Sequence, residues 1–265
     1  MKTILTRKFL FIAAFASLTN FCIASPSQLK DSTKLADNTV KKEAVTIIEA
    51  NVEYPALLVN EKDKSLDYVK NFTQTRRDYL VKMHNEGEKY FPHIVSALEQ
   101  MGLPQELKVL VPIESDFKGN VVSRAGAVGY WQMMDAVAID YGLSIGRGKK
   151  KRGVDERKNF FKSTAAATRL LRDLYKQFNS DVLMTVAAYN CGAGNVLKAI
   201  RKSGIADASI WDINKYLPAE TRAYVMKFIT LNVIFDNYDK FASNNLLFAP
   251  QMIQNIDPTT QTIVN

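Results

Sequence analysis

One acidic residue, Glu114, closes an apolar run in the middle of the chain. The run from Leu107 to Ile113 is spaced for a helix with a buried face. A carboxylate at the end of such a run is partly removed from water, which disfavours its ionised form and raises its pKa toward the range of a general acid. The pattern predicts a packed helical domain with one chemically active acid.

The segment after Glu114 is rich in residues that break regular structure. Glycines and an asparagine between Asp116 and Gly129 predict irregular backbone, which can approach a ligand closely where side chains are absent. Pro112, two residues before Glu114, lacks a backbone donor and predicts that the helix kinks or ends there. A helical pattern returns from Gln132 to Ala138.

Helical spacing dominates the rest of the chain, and no segment is typical of a multi-strand sheet. Pro92 is expected in the first turn of one helix and Gly102 at its C-cap, while Asp181 is expected to cap another. The fold class predicted from the residues is mainly α. The predicted helices are 65–90, 91–101, one opened by Pro104, 163–178, 182–189, 196–202 and one opened by Pro218.

The first 24 residues have the composition of a secretory signal peptide. A basic head precedes the apolar stretch from Phe9 to Ala16, which is too short to span a bilayer, and small residues end the segment at Ala24. We therefore expect an exported protein of the periplasm or cell envelope; a retained N-terminal anchor is the alternative. Lipidation of Cys22 is disfavoured by the bulky Phe21 before it. Cleavage after Ala24 leaves Cys191 as the one cysteine, and hence no intramolecular disulfide.

The formal net charge of +8 favours an anionic partner. The densest basic cluster, GRGKKKRG at 146–153, lacks interleaved aromatic residues, so a stacking platform for nucleic-acid bases is not expected. It is either a solvated loop or a contact to anionic substrate. The two histidines, His84 and His93, form no metal-binding motif and are expected on the surface of the first helices. We expect no metal, no cofactor and no nucleic-acid partner.

Three segments carry a resemblance to a known family. PIESDF at 112–117, SRAGAVGYWQMM at 123–134 and VAAYNCGAGNV at 186–196 resemble, in order and spacing, the signatures of the lytic transglycosylases that cleave peptidoglycan. The match is closest to the membrane-bound lytic murein transglycosylase D branch and extends from about 66 to 238. It implies a lysozyme-like fold of the goose-type lysozyme and SLT kind. The expected divisions are a signal peptide (1–24), an N-terminal linker or wrap (25–62), the catalytic domain (63–241) and a tail (242–265) without LysM repeats.

The resemblance also implies a reaction. In this family the C6 hydroxyl of N-acetylmuramic acid attacks its own C1, giving a 1,6-anhydro end without water, and one acid both donates and recovers the proton. A lone carboxylate at Glu114 suits that scheme, because Asp116 and Asp135 lack its apolar approach. By position in the matching motifs, the substrate-binding residues are expected to be Ser123, Gln132, Tyr189, Asn190 and Tyr224.

Each of these residues also has a plain structural interpretation. Ser123 could close a turn, Gln132 could cap backbone groups, Tyr189 and Tyr224 could be core residues, and Asn190 could end a helix. Two other functions remain open: a hydrolytic muramidase, and a non-catalytic peptidoglycan-binding protein. The expected partner is a glycan strand, with a peripheral association with membrane or wall, and the protein is expected to be a monomer.

Overall fold

The computed structural model of the protein describes residues 45–146 and 154–254. The predicted signal peptide, the linker as far as residue 44, basic residues 147–153 and tail residues 255–265 lie outside the described residues. Across the described ranges the chain is mainly helical, with one short pair of strands. The elements are β1 Val45–Ile48, α1 Lys62–Thr75, α2 Arg77–Gln100, α3 Leu110–Ser115, α4 Asp135–Asp140, α5 Phe160–Gln177, α6 Val182–Cys191, α7 Ala193–Ser203, α8 Ile210–Ile213, α9 Ala219–Asp236, α10 Tyr238–Ala242 and β2 Gln251–Gln254.

Helix α9 lies at the centre of the core. It packs against α1 and α6, and more briefly against α2 and α3. Its apolar residues point in nearly every direction, as expected for a helix surrounded by other helices. Phe228 and Ile229 are fully buried, each contributing about 1.5–3 kcal/mol of hydrophobic stabilisation. The prediction of a mainly α fold is confirmed, and α9 is the element around which the other helices are arranged.

The first long helices divide at a different place from the one predicted. The break falls at Arg76, whose φ of −130° separates α1 from α2, and α2 then runs without interruption through Pro92 to Gln100. The predicted boundary between residues 90 and 91 is therefore wrong. Tyr90 and Phe91 both pack against the ring of Phe117. We infer that this aromatic packing keeps the helix intact across the proline, which removes only one backbone donor.

Two details next to Glu114 also differ from expectation. Pro112 occupies the first turn of α3, where backbone N–H groups have no helical partner, so the helix continues to Ser115 instead of ending at the proline. Gln132 is not helical: its φ is 45°, and α4 begins only at Asp135. A short 3-10 helix, Gln105–Val109, leads into α3.

Segments before and after the helices are joined to each other. β1 and β2 pair antiparallel, with Thr46 opposite Ile253, a pairing that the sequence did not predict. Asn51 extends the connection, since its backbone N–H donates to the carbonyl of Leu247 at 3.0 Å and its Oδ1 accepts from the N–H of Leu247 at 2.8 Å. Residues 45–52 are thus attached to the region that follows α10.

Candidate active site

A pocket of about 440 Å³ opens between the loop after α3, the end of α6 and the first turns of α7 and α9. Five of the six side chains predicted for the site line it: Glu114, Ser123, Gln132, Tyr189 and Asn190. These residues come from segments up to 76 positions apart in the chain (190 − 114). The fold therefore brings together the three motifs singled out in the sequence.

Glu114 sits in the last turn of α3. The turn ends because Asp116 adopts a left-handed conformation, φ 49°, and Ser115 anchors it by donating its hydroxyl to the carbonyl of Tyr130 at 2.8 Å. Burial raises the pKa of Glu114 to about 7; the hydrogen bond from Tyr224 opposes that rise. Among more distant groups, the charge of Glu220 raises the pKa and that of Lys227 lowers it. At neutral pH both protonation states of Glu114 are populated, which is what an acid that must also act as a base requires.

Ser123 and Gln132 shape the loop wall of the pocket. The Ser123 hydroxyl accepts from the backbone N–H of Ala127 at 3.0 Å. Gln132 donates its Nε2 to the carbonyls of Val121 at 3.2 Å and Gly129 at 2.9 Å, which leaves its Oε1 for a ligand. Both side chains serve the loop itself and also border the pocket, so their structural role and the predicted binding role are compatible.

Gly129 makes this loop conformation possible. Its φ is +88°, and a Cβ at this position would lie 2.0 Å from the backbone oxygen of Arg157. No other residue could occupy the position without displacing that backbone. The loop that carries Gln132 therefore packs directly against the backbone of Arg157.

Arg157 supports this loop through a cluster of charges in which the guanidinium is buried and the two carboxylates are partly exposed. The residue is 5% exposed, and its side chain donates to the carbonyl of Met133 at 3.1 Å. It forms ion pairs with Asp135 at 2.5 Å and with Asp155 at 2.7 Å. Hydrogen bonding from the guanidinium lowers the pKa of Asp155, outweighing the effect of burial. Met133 lines the pocket, so the cluster braces the pocket wall from behind.

The opposite wall comes from the end of α6. Tyr189 donates its hydroxyl to the backbone carbonyl of Trp131 at 2.6 Å, which links α6 to the loop after α3. Asn190 accepts at its Oδ1 from the hydroxyl of Thr221 in α9, at 2.8 Å. Both residues are half-buried and line the pocket. Trp131 itself is fully buried in the core.

Tyr224 occupies a different place from the one expected. It was predicted to face the groove, but it is 6% exposed and is not among the residues lining the pocket. Its hydroxyl donates to Oε1 of Glu114 at 2.6 Å. Burial in the helical core leaves this tyrosine behind the acid, where it can orient the carboxyl group.

Sequence reasoning missed two side chains in the first turn of α9. Glu220 and Thr221 line the pocket, and Glu220 is exposed. They lie four and three residues before Tyr224, on the same side of the helix. That spacing was available in the sequence, yet without the tertiary structure nothing placed the start of α9 beside Glu114. The pocket therefore holds a second carboxylate, which the sequence analysis did not expect.

Neither a metal-binding group nor a membrane-spanning helix is found among the residues that the structure describes. Across 45–146 and 154–254, no three His, Cys, Asp or Glu side chains are grouped so as to hold a metal ion. In these same two ranges, no helix has the length and apolar character needed to cross a bilayer. His93 is exposed as expected, whereas His84 is half-buried with its ring stacked on that of Tyr238.

Parts of the chain are similar in sequence to known proteins. The sequence profile of the transglycosylase SLT domain matches residues 92–211. The membrane-bound lytic murein transglycosylase D of Escherichia coli (strain K12) is 33% identical over 182 residues, which are 68% of this chain and 38% of that protein. A putative tributyltin chloride resistance protein of Alteromonas sp. (strain M-1) is 36% identical over 114 residues, covering 43% of this chain and 53% of that protein. The chain thus spans well under half the length of its E. coli relative.

Solved structures of lytic transglycosylases are similar at lower identity. The lytic transglycosylase Slt of Pseudomonas aeruginosa matches with a TM-score of 0.44 and 18% identity, over 62% of this chain and 26% of that one. The 70 kDa soluble lytic transglycosylase of Escherichia coli matches with a TM-score of 0.45 and 19% identity, over 72% of this chain and 33% of that one.

Proposed function

We propose that the protein is a peptidoglycan lytic transglycosylase, a proposal supported by the match of residues 92–211 to the transglycosylase SLT domain. It cleaves the β-1,4 bond between N-acetylmuramic acid and N-acetylglucosamine and leaves a 1,6-anhydro end. Residues 63–241 are its catalytic domain. The observation that supports this most is the environment of Glu114, which lines the pocket with a pKa near 7 and a hydrogen bond from a neutral tyrosine.

Glu114 acts first as an acid and then as a base. Its proton passes to the bridging oxygen, the bond between that oxygen and C1 of N-acetylmuramic acid breaks, and C1 takes on oxocarbenium character. The oxygen of the C6 hydroxyl then bonds to C1, and the hydroxyl proton returns to Glu114. No water is consumed, and the acid ends in the state in which it began. Tyr224 keeps the carboxyl group aligned through both transfers.

The remaining predicted residues bind the glycan in this scheme. Ser123 and Gln132 contact it from the loop wall, and Tyr189 and Asn190 contact it from the end of α6. The E. coli relative is named a membrane-bound murein transglycosylase, and we propose that this protein likewise works in the cell envelope after export, on glycan strands.

Product analysis tests the reaction. Purified sacculi are digested with the wild-type protein, and the muropeptides are weighed by mass spectrometry; the expected products carry anhydro ends, lighter by one water than hydrolysed ends. Glu114→Gln should lower the rate by about a thousandfold, because general acid–base catalysis contributes roughly that factor, while glycan binding is retained. Asp116→Asn is the matched control, since that nearby carboxylate pairs with Lys118 instead of lining the pocket.

Glu220 supports a second candidate, a hydrolytic muramidase. A second carboxylate in the pocket could activate a water molecule, as in glycosidases that use two acids. In that case the products carry one more water, and Glu220→Gln loses activity as severely as Glu114→Gln. A protein that binds glycan equally well with and without Glu114, and releases nothing, would instead be a non-catalytic wall-binding protein.

A further inference from the structure

The hydroxyl of Thr221 is buried at the side of the pocket. The residue is 1% exposed and lies in the first turn of α9, between the exposed Glu220 and the core. Its Oγ1 donates to Oδ1 of Asn190 in α6 at 2.8 Å, and the two residues are 31 positions apart in the chain. No function assigned above uses this hydroxyl.

The hydroxyl does not serve its own helix. A threonine inside a helix commonly donates to the carbonyl four residues earlier, as Thr230 of α9 does to Met226 at 2.8 Å. For Thr221 that carbonyl belongs to Leu217, which instead accepts from the Arg222 side chain at 2.8 Å. The bond from Thr221 is therefore directed out of α9, toward Asn190.

This bond favours one orientation of the Asn190 amide. The Thr221 hydroxyl could also accept from Nδ2, but its buried proton would then lack an oxygen acceptor, because the carbonyl of Leu217 is engaged by Arg222. An asparagine amide has an accepting oxygen and a donating nitrogen of nearly the same shape, and its orientation follows from its hydrogen bonds. Since Oδ1 of Asn190 is engaged by Thr221, Nδ2 is the end left for the pocket. Asn195 shows the opposite choice: its Nδ2 donates to the carbonyl of Cys191 at 2.7 Å, so its Oδ1 is the end left over.

We propose that Thr221 is a positioning residue, which makes Asn190 present an N–H donor to the glycan. The proposal rests on the function proposed above, because it takes the pocket to be the glycan site. Sugar hydroxyl, ring and acetamido carbonyl oxygens all accept hydrogen bonds. A reversed amide would set a carbonyl oxygen against a ring or acetamido carbonyl oxygen, which can only accept, so the bond from Thr221 raises the affinity of the pocket for its substrate through Asn190.

Two substitutions at Thr221 separate the hydroxyl from the shape of the side chain. Thr221→Val keeps the shape and removes the donor, and should lower kcat/KM by about tenfold, the effect of one hydrogen bond. Thr221→Ser keeps the donor and should stay within about twofold of wild type. Thr230→Val is the matched control, because it removes a buried hydroxyl from the same helix away from the pocket. It should leave kcat/KM unchanged.

A double-mutant cycle tests whether the effect passes through Asn190. In an Asn190→Ala background, Thr221→Val should cause no further loss, because there is no amide left to orient. The proposal is overturned if the loss persists in that background, if Thr221→Ser is as impaired as Thr221→Val, or if Thr221→Val has wild-type kinetics.

Glycan binding by catalytically inactive protein distinguishes this proposal from the reaction itself. Purified glycan strands are titrated against Glu114→Gln protein with and without Thr221→Val. A roughly tenfold weaker binding on adding Thr221→Val supports the positioning role, even if the wild-type protein proves to release hydrolysed products or none. Equal binding by the two proteins overturns it while leaving the transglycosylase reaction standing. Absence of glycan binding by both proteins overturns both.

Discussion

Two parts of the structure each contain a partly buried carboxyl group, and they shift its pKa in opposite directions. Glu114 accepts a hydrogen bond from the neutral Tyr224, and its pKa is raised to about 7. Asp155 is engaged by both Nε and Nη2 of Arg157, at 2.9 and 2.7 Å, and its pKa is lowered. Among the ion pairs of the described residues, none involves Glu114.

The two carboxyl groups therefore have different roles: one stabilises the chain around it, and the other exchanges a proton. A carboxylate paired with a guanidinium stays ionised and fixes the chain around it, as Asp155 does beneath the loop that carries Gln132. A carboxyl group that meets only a neutral donor exchanges its proton near neutral pH. The structure places the first kind beneath the pocket wall and the second kind in the pocket itself.

The largest expected effect is on the structural side of this comparison. Arg157→Met leaves two carboxylates without their buried partner and should lower the free energy of unfolding by about 3 kcal/mol. Arg172→Met is the control: its pair with Asp173 is solvent-accessible and should contribute less than about 1 kcal/mol. Urea denaturation measures both. Equal losses in the two variants would mean that the Arg157 cluster does not stabilise the fold.

The raised pKa of Glu114 should make the free energy of unfolding fall as the pH rises. A carboxyl group with a lowered pKa has the opposite effect. The folded pKa of Glu114, about 7, lies above its ordinary value of 4.5, so between these values the unfolded chain loses a proton that the folded protein keeps. Its contribution is therefore fully present below about pH 4.5 and is lost as pH rises to about 7, by at most about 3 kcal/mol and by less where water reaches the group.

Replacing the acid with an amide removes this pH dependence of stability. Relative to wild type, Glu114→Gln should gain stability between pH 4 and pH 8, because glutamine does not ionise. Parallel urea titrations at the two pH values give the difference. A difference that is zero, or that favours the wild-type protein at pH 8, would show that burial does not raise the pKa of Glu114.

The smallest expected effect concerns the bond between Tyr224 and the acid. That bond lowers the pKa of Glu114, so Tyr224→Phe should raise the pKa further and move the basic limb of the pH–rate profile to higher pH. Loss of the alignment should lower kcat at neutral pH by about fivefold. Tyr175→Phe, on α5 and away from the pocket, is the control. A basic limb that moves to lower pH would contradict the role given to Tyr224.

Local signals in the sequence predicted much of this structure correctly. Asp181 caps α6 by accepting from the N–H of Met184 at 2.9 Å, and Pro218 directly precedes α9, both as expected. Pro92 and Gln132 were misplaced for one reason. Aromatic packing against Phe117 and the contact of Gly129 with Arg157 are long-range, and neither can be recognised from neighbouring residues.

The chain's own residue order determined which segments are helical, which of them are buried, and that an acid at the end of an apolar run meets a glycine-rich turn. Periodicity, caps and motif spacing act over a few residues, so they can be read directly from the sequence. Only the tertiary structure decided that Tyr224 stands behind Glu114, that Glu220 and Thr221 border the pocket, and that Arg157 supports its wall. Those relations depend on how α9 packs against α3 and α6, because atoms far apart in the chain acquire charge and hydrogen-bond partners only through that packing.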